Sequence, residues 1–420
     1  MKKHKYKFLS NLIFICSLTL FSVGLYGFED YDKFILGKSF FTKPWVLSPS
    51  STTARDGLGP LFSANTCMSC HPGNGRGNLY SKENITSRSL VARLSTKNSL
   101  VDPIYGSQIS INGTLNTPFE GKINIDFKKI YVHFKDGEKV ELLKPMYTLK
   151  NLNYGSLSTH TNVSYRMATN LKGLGLIEQL KNEKILKNED EFDRDKDGIS
   201  GKANYVYSKI TKKIELGKYN HKANVAFIKE QVSNAAFDDM GLTSSLNPKD
   251  NCTSKQEECL KESSLSKEID IPDFRIEAIS YYIENLKINK NKKDKDYFEG
   301  LEIFESISCT KCHITSFTLE NGRKIYPYSD FLLHDMGEDL SDGRVEYQAS
   351  KSEFRTAPLW GHSKHEKINK KTVRLLHDGR ARNFQEAILW HGGEALNAKE
   401  NYMNLEKEKR EKLIKFLEKL

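Results

Sequence analysis

Two copies of Cys-x-x-Cys-His, Cys67-Met68-Ser69-Cys70-His71 and Cys309-Thr310-Lys311-Cys312-His313, constrain this chain more than any other feature. Each sets two thiols where they can add across the vinyl groups of a haem and follows them with an imidazole that can ligate the iron. Zinc or redox sites are the competing reading of Cys-x-x-Cys alone. Zinc would want four ligands in two close pairs, whereas these pairs lie far apart and each is followed at once by His. The pattern predicts two covalently held c-type haems, attached at Cys67, Cys70 and at Cys309, Cys312, with His71 and His313 as proximal iron ligands.

Haem attachment of this kind needs export, and the N-terminus has the form of an export signal. Lys2, Lys3, Lys5 and Lys7 precede an apolar run from Phe8 to about Leu25, with Gly24 and Gly27 as small residues ahead of Glu29-Asp30. This reads as a signal peptide over residues 1–27, delivering the chain to a bacterial periplasm, with membrane contact transient and confined to that segment. A retained anchor is the alternative, because the run approaches the roughly 20 residues that span a bilayer and lacks an Ala-x-Ala site. Ile15 before Cys16 speaks against a lipoprotein cysteine. Of seven cysteines, four are assigned to haem and Cys16 to the signal. Cys252 and Cys259 remain, as a local disulfide in an oxidising compartment or as two free thiols in a polar loop.

The net charge of +10 falls to +6 without the four lysines of the signal. Lysines are scattered among acids rather than clustered with aromatics, so nucleic-acid binding has no support. A diffuse basic surface suits acidic redox partners, although its usual meaning is solubility.

Periodicity divides the remainder. From about Val101 to Leu152 the period is two, as in Lys122-Ile123-Asn124-Ile125-Asp126-Phe127, and Asp136-Gly137 separates two alternating runs as a hairpin turn does. Ile276, Ile279, Ile283 and Leu286 share a helical face behind Pro272-Asp273. The charged stretch 290–296 is the best linker candidate. Phe298, Leu301, Phe304 and Ile307 then make a helix leading into Cys309, and Leu413, Phe416, Leu417 and Leu420 mark a closing amphipathic helix. A helix feeding each motif argues for a mainly α protein with two cytochrome c-like haem domains in tandem, over 28–290 and 291–420. A β-rich insertion at about 101–152 and an Asp-rich loop belong to the first of them. That loop, Asp193-Arg194-Asp195-Lys196-Asp197-Gly198, places carboxylates at alternate positions as a calcium loop does, though its twelfth position is Asn204 rather than Glu. An ordinary Asp-rich turn is the alternative.

The chain also resembles the bacterial di-haem oxidoreductase family, relatives of di-haem cytochrome c peroxidases. The resemblance is carried by Leu61-Phe62-Ser63-Ala64 ahead of Cys67, Gly75-Arg76-Gly77 after it, Gly173-Leu174-Gly175-Leu176-Ile177-Glu178 and Asp195-Lys196-Asp197-Gly198-Ile199-Ser200-Gly201. It continues through Leu332-Leu333-His334-Asp335-Met336-Gly337, Phe354-Arg355-Thr356-Ala357-Pro358-Leu359-Trp360-Gly361, His377-Asp378-Gly379-Arg380 and Glu386-Ala387-Ile388-Leu389-Trp390-His391-Gly392-Gly393. One departure stands out: Asn220-His221 occupies the place where such proteins are expected to have Gly-Trp, which puts an aromatic electron-transfer role there in doubt.

The resemblance implies that His391, shortly after a His-Asp-Gly segment and a helix, is the distal ligand of the second haem. A lone His at a helix end is otherwise a surface or capping residue. Glu178 is the candidate acid/base for peroxide, against a solvated acid on a helix. His334, Met336, Met167 and Met240 are ligand-capable but read more simply as core residues. Arg76, Arg355 and Arg380 suit haem propionates, since a guanidinium grips a carboxylate bidentately. Trp45, Trp360 and Trp390 are core residues or, for one of them, a relay between haems. Calcium at Asp193, Asp195 and Asp197 also accords with the peroxidase relatives.

The expected function is a periplasmic peroxidase-like oxidoreductase that reduces hydrogen peroxide at the first haem and passes electrons through the second. Its electrons would come from a small periplasmic donor protein. The alternatives are a non-catalytic two-haem electron-transfer protein or redox partner, such as one in iron handling, and an oxidant of a protein side chain.

Overall fold

The computed structural model describes residues 29–79, 87–97, 101–263, 268–288, 293–361 and 374–420. The signal segment 1–27 and part of the linker stretch lie outside them. Among the described residues no helix is long and apolar enough to cross a membrane.

Three helices follow the apolar periodicity. Asp273–Glu284 begins behind Pro272 and buries Ile276, Ile279 and Ile283. Lys295–Ser306 starts where the Asp294 side chain accepts the Tyr297 amide, a cap that satisfies one of the free N–H groups of the first turn. Lys407–Leu417 closes the chain and buries Leu413, Phe416 and Leu417. It packs on Lys295–Ser306, where Gly300 allows the approach: a Cβ there would lie 2.3 Å from Phe416 Cβ.

The alternating stretch forms a long hairpin, Lys122–His133 paired antiparallel with Lys139–Lys150. Its base buries Ile123 and Ile125 among Leu90, Ala92, Leu94 and Ile109. Its far end places Phe134 and Leu142 among Tyr402, Leu413 and Phe416 of the C-terminal helices, and Arg410 ties down Asp136 and Glu138 at 2.6 and 2.7 Å.

The expectation of a mainly α fold with two cytochrome c-like domains in tandem is overturned. Helix makes up 30% and strand 19% of the chain, in several small sheets, and no tandem cytochrome-like pair is evident. The described residues hold six two-stranded sheets. Two physical reasons stand behind the difference. After the second haem motif the chain runs as short antiparallel pieces, Phe317–Thr318 with Lys324–Ile325 and Leu333–Asp335 with Glu353–Arg355, too short to show a period of two. The same stretch packs back toward the N-terminal part, so Phe317, Phe331, Leu332 and Trp360 share one core with Phe41, Ile228, Ile279 and Ile283.

Cys252 and Cys259 are joined as a disulfide, and the other described cysteines, those of the two motifs, are free thiols.

Candidate functional site

Each motif forms a tight turn that presents its imidazole beside its thiols. Thr66 caps the short helix Cys67–Cys70 by accepting the Ser69 amide at 2.9 Å, and the His71 amide donates to Cys67 O at 3.0 Å. At the second motif, Lys295–Ser306 leads into the turn Cys309–Lys311, and the His313 amide donates to Cys309 O at 2.9 Å. The two imidazoles are held alike: Nδ1 of His71 lies 2.8 Å from Thr169 O, and Nδ1 of His313 lies 2.8 Å from Tyr328 O. A carbonyl there fixes the proton on Nδ1 and leaves the Nε2 lone pair for a metal. Burial pulls both imidazoles down to about 4, so they are neutral at pH 7, and pushes the Cys67 and Cys309 thiols up to about 12.

Cys67, Cys70 and His71 line one cavity, with about 1230 Å³ of space between atoms, part of it open to solvent. Cys309, Cys312 and His313 line a second, with about 1590 Å³. Two thiols and one neutral, carbonyl-anchored imidazole on the wall of one cavity are a donor set that fits a covalently attached haem, and it occurs twice.

His391 lines the Cys309 cavity together with His313. It stands at the C-terminal end of the helix Phe384–Trp390, and its Nδ1 lies 2.6 Å from Ala387 O, so its Nε2 is also left free. Burial lowers its pKa. The glycines after it serve the backbone: a Cβ on Gly393, whose φ is +53°, would meet Asp335 O at 2.3 Å. His334 lines the same cavity, but Asp330 and Glu394 take its two nitrogens at 2.8 and 2.7 Å. Burial opposes its charge, yet those carboxylates prevail and raise its pKa well above the usual value; a cationic imidazole cannot ligate. Met336 lines the Cys309 cavity and Met240 the Cys67 cavity, whereas Met167 lines neither.

The Cys67 cavity holds a different set of groups. Besides His71, the imidazole on its wall is His221, whose Nε2 is 2.8 Å from Met167 O. Glu178 is absent from this wall. It accepts a short hydrogen bond from the Tyr219 hydroxyl, and Tyr219 lines the cavity. Burial, then the Glu178 charge, pushes the Tyr219 pKa well up. Asp239 is also on the wall, raised to about 6 by burial and accepting from Gln108 Nε2 at 2.7 Å. Neither Tyr219 nor Asp239 carries a motif that would single it out in the sequence.

Of the tryptophans, Trp360 lines the Cys67 cavity. Trp45 packs against Phe40 and Trp390 lies under Arg380, so neither reaches a cavity wall. The residues common to both walls are Arg76, His221, Arg355 and Ala357.

The carboxylates of Asp193, Asp195 and Asp197 converge, with ligand atoms within 4.8 Å of one another. They also hold their own turn: Gly198 donates to Asp193 and Ile199 to Asp197 at 3.2 and 2.9 Å. The Lys311 ammonium, inside the second haem motif, pairs with Asp197 at 2.7 Å and lowers its pKa.

A family model described as "Di-haem oxidoreductase, putative peroxidase" matches residues 106–420. The matched stretch includes the Cys309 motif, and the Cys67 motif precedes it. No curated protein matches the chain. Among solved structures, hydrazine synthase of Kuenenia stuttgartiensis pressurised with xenon aligns at 13% identity and a TM-score of 0.29, covering 61% of this chain and 73% of its own.

Proposed function

Since the chain belongs to the di-haem oxidoreductase family, we propose that it is an exported, periplasmic, peroxidase-like enzyme with two c-type haems of unequal role. One observation carries the inequality. In the Cys309 cavity His391 is anchored through Nδ1 just as His313 is, whereas the imidazole that accompanies His71 on the Cys67 wall, His221, is held through Nε2 on Met167 O instead. On this reading the Cys309 haem is closed by His313 and His391 and transfers electrons, while the Cys67 haem keeps a face for peroxide.

A bound haem supplies the iron at which peroxide is reduced to two waters, with two electrons and two protons. The chain supplies the rest. Cys67, Cys70, Cys309 and Cys312 hold the two groups, and His71 and His313 orient them. Tyr219 lines the cavity and its hydroxyl donates to Glu178. A proton leaving peroxide is taken by Tyr219 Oη as the Tyr219 proton passes to Glu178, and the reverse transfer delivers it to the departing oxygen. Glu178 thus acts through Tyr219 rather than at the cavity wall. Electrons come from a small periplasmic protein. A calcium ion at Asp193, Asp195 and Asp197 belongs to the same reading, and would compete with Lys311 for Asp197.

The test is turnover. Purified holoprotein given a reduced small cytochrome and hydrogen peroxide is expected to oxidise two donors per peroxide. Exchange of electrons with the donor but no peroxide consumption would favour a two-haem electron-transfer protein instead.

A further inference from the structure

The two cavities share a wall, and its charge is one-sided. Arg76, His221 and Arg355 each line both cavities. Among the described residues, Arg76 and Arg355 are the only lysine or arginine side chains on the wall of the Cys67 cavity, and in the Cys309 cavity the only addition is Lys399. Arg355 is 9% exposed. Its Nε donates to Asn220 O at 2.9 Å and its Nη1 to Thr356 O at 3.4 Å, both backbone carbonyls. No carboxylate pairs with it among the described residues. Asp330 and Tyr219 are the acidic groups whose charges it feels, and both are engaged elsewhere, Asp330 with His334 and Tyr219 with Glu178. Arg76 is 6% exposed and donates to the backbone oxygens of Arg374, at 2.6 Å, and Leu376. Asp378 acts on Arg76 through its charge and pairs with Arg380 at 2.9 Å.

Arg355 is the guanidinium removed from water without a carboxylate partner among the described residues, which is strongly unfavourable, and its rigid fork matches a carboxylate. Haem brings two carboxylates of its own. We propose that the shared wall is a common carboxylate cradle: a propionate of each haem meets Arg355, with Arg76 as the second guanidinium, so that the charge state of one haem is felt at the other. This rests on the di-haem reading and adds to it the route by which the two sites are coupled. His221 completes the wall as a neutral imidazole fixed on Met167 O.

A positive charge beside a haem favours the reduced iron. In the Arg355→Gln holoprotein, a spectroelectrochemical titration is therefore expected to show both haem potentials lower than wild type, and Arg76→Gln is expected to shift both in the same direction. Arg355→Lys, which keeps the charge, is expected to give a smaller shift. A change at one haem alone, or at neither, in both Gln variants would overturn the cradle. Should these variants not fold, a crystal structure of the wild-type holoprotein decides. A propionate oxygen of each haem within hydrogen-bond distance of Arg355 or Arg76 supports the proposal, and propionates that avoid them overturn it. Failure of the underlying reading looks different: the mass of the wild-type chain would then show fewer than two haems.

Discussion

His313 and His391 line one cavity, and each imidazole is fixed by Nδ1 on a main-chain carbonyl, Tyr328 O for His313 and Ala387 O for His391. Two rings on the wall of one cavity, each with Nε2 left free, would suit as a ligand pair for one iron. Replacing His391 by Ala is expected to abolish the low-spin electron paramagnetic resonance signal of the second haem while leaving its covalent attachment intact. An unchanged low-spin signal would exclude His391 as ligand.

Attachment itself is separable motif by motif. Cys67→Ala with Cys70→Ala is expected to reduce the mass of the purified protein by one haem, and Cys309→Ala with Cys312→Ala likewise. Intact-mass spectrometry reads this directly, and a full complement of haem in either double variant would contradict the assignment.

The proton route through Tyr219 makes two residues answer together. Tyr219→Phe removes the hydroxyl by which this cavity-lining residue donates to Glu178, and Glu178→Gln removes the base behind it. Either change is expected to slow peroxide turnover by about 10²-fold or more, the usual scale of general acid–base catalysis, and the double variant by little beyond the single ones. Independent, multiplying losses would argue for separate roles.

A buried ion-pair network sets the acid stability. Glu346 is 1% exposed and accepts from Arg166 at 2.9 Å and from Arg344. Burial alone would raise its pKa, but Arg166 and Arg344 outweigh burial and hold it at about 2, below the ordinary 4.5. Between those values the unfolded chain binds the extra proton, so stability rises with pH across the window. The contribution is present above 4.5 and is lost as pH falls toward 2. Thermal melts are expected to fall across that range, and Glu346→Gln to flatten the fall while lowering stability at neutral pH by about 3–5 kcal/mol, since it leaves the buried Arg344 guanidinium without its carboxylate while Arg166 keeps Asp342 at 2.7 Å. An unaltered pH profile in the variant would contradict this.

At the Asp-rich turn the question is competition. If calcium binds Asp193, Asp195 and Asp197, it must loosen the Lys311–Asp197 pair. Calcium at 100 times its dissociation constant would add about 2.7 kcal/mol of stability, seen as a rise in melting temperature that Asp193→Asn removes. A melting temperature indifferent to both calcium and chelator would leave only an Asp-rich turn.

What could be read from the sequence followed from local pattern. Thiol and imidazole spacing defined both motifs, apolar periodicity marked the helices at 273–284, 295–306 and 407–417, and Asp136-Gly137 marked the long hairpin. What could not be read depends on residues distant in sequence. Arg355 and His221 meet on one wall only because the strand Glu353–Arg355 packs beside Asn220, whose carbonyl accepts from Arg355 Nε. Glu178 sits in a recognisable segment, but its separation from the cavity by Tyr219 is a tertiary fact. The fold class is hidden in the sequence because strands of two or three residues carry no period, while helical faces are conspicuous.

The central claim is that two covalent haems differ, one closed by His313 and His391 and one open to peroxide. Ferric-state electron paramagnetic resonance of the purified holoprotein, recorded before and after hydrogen peroxide, tests it most directly. The account predicts a low-spin bis-imidazole signal alongside a second signal with high-spin character that changes on addition of peroxide. Two low-spin signals that peroxide leaves untouched would contradict it.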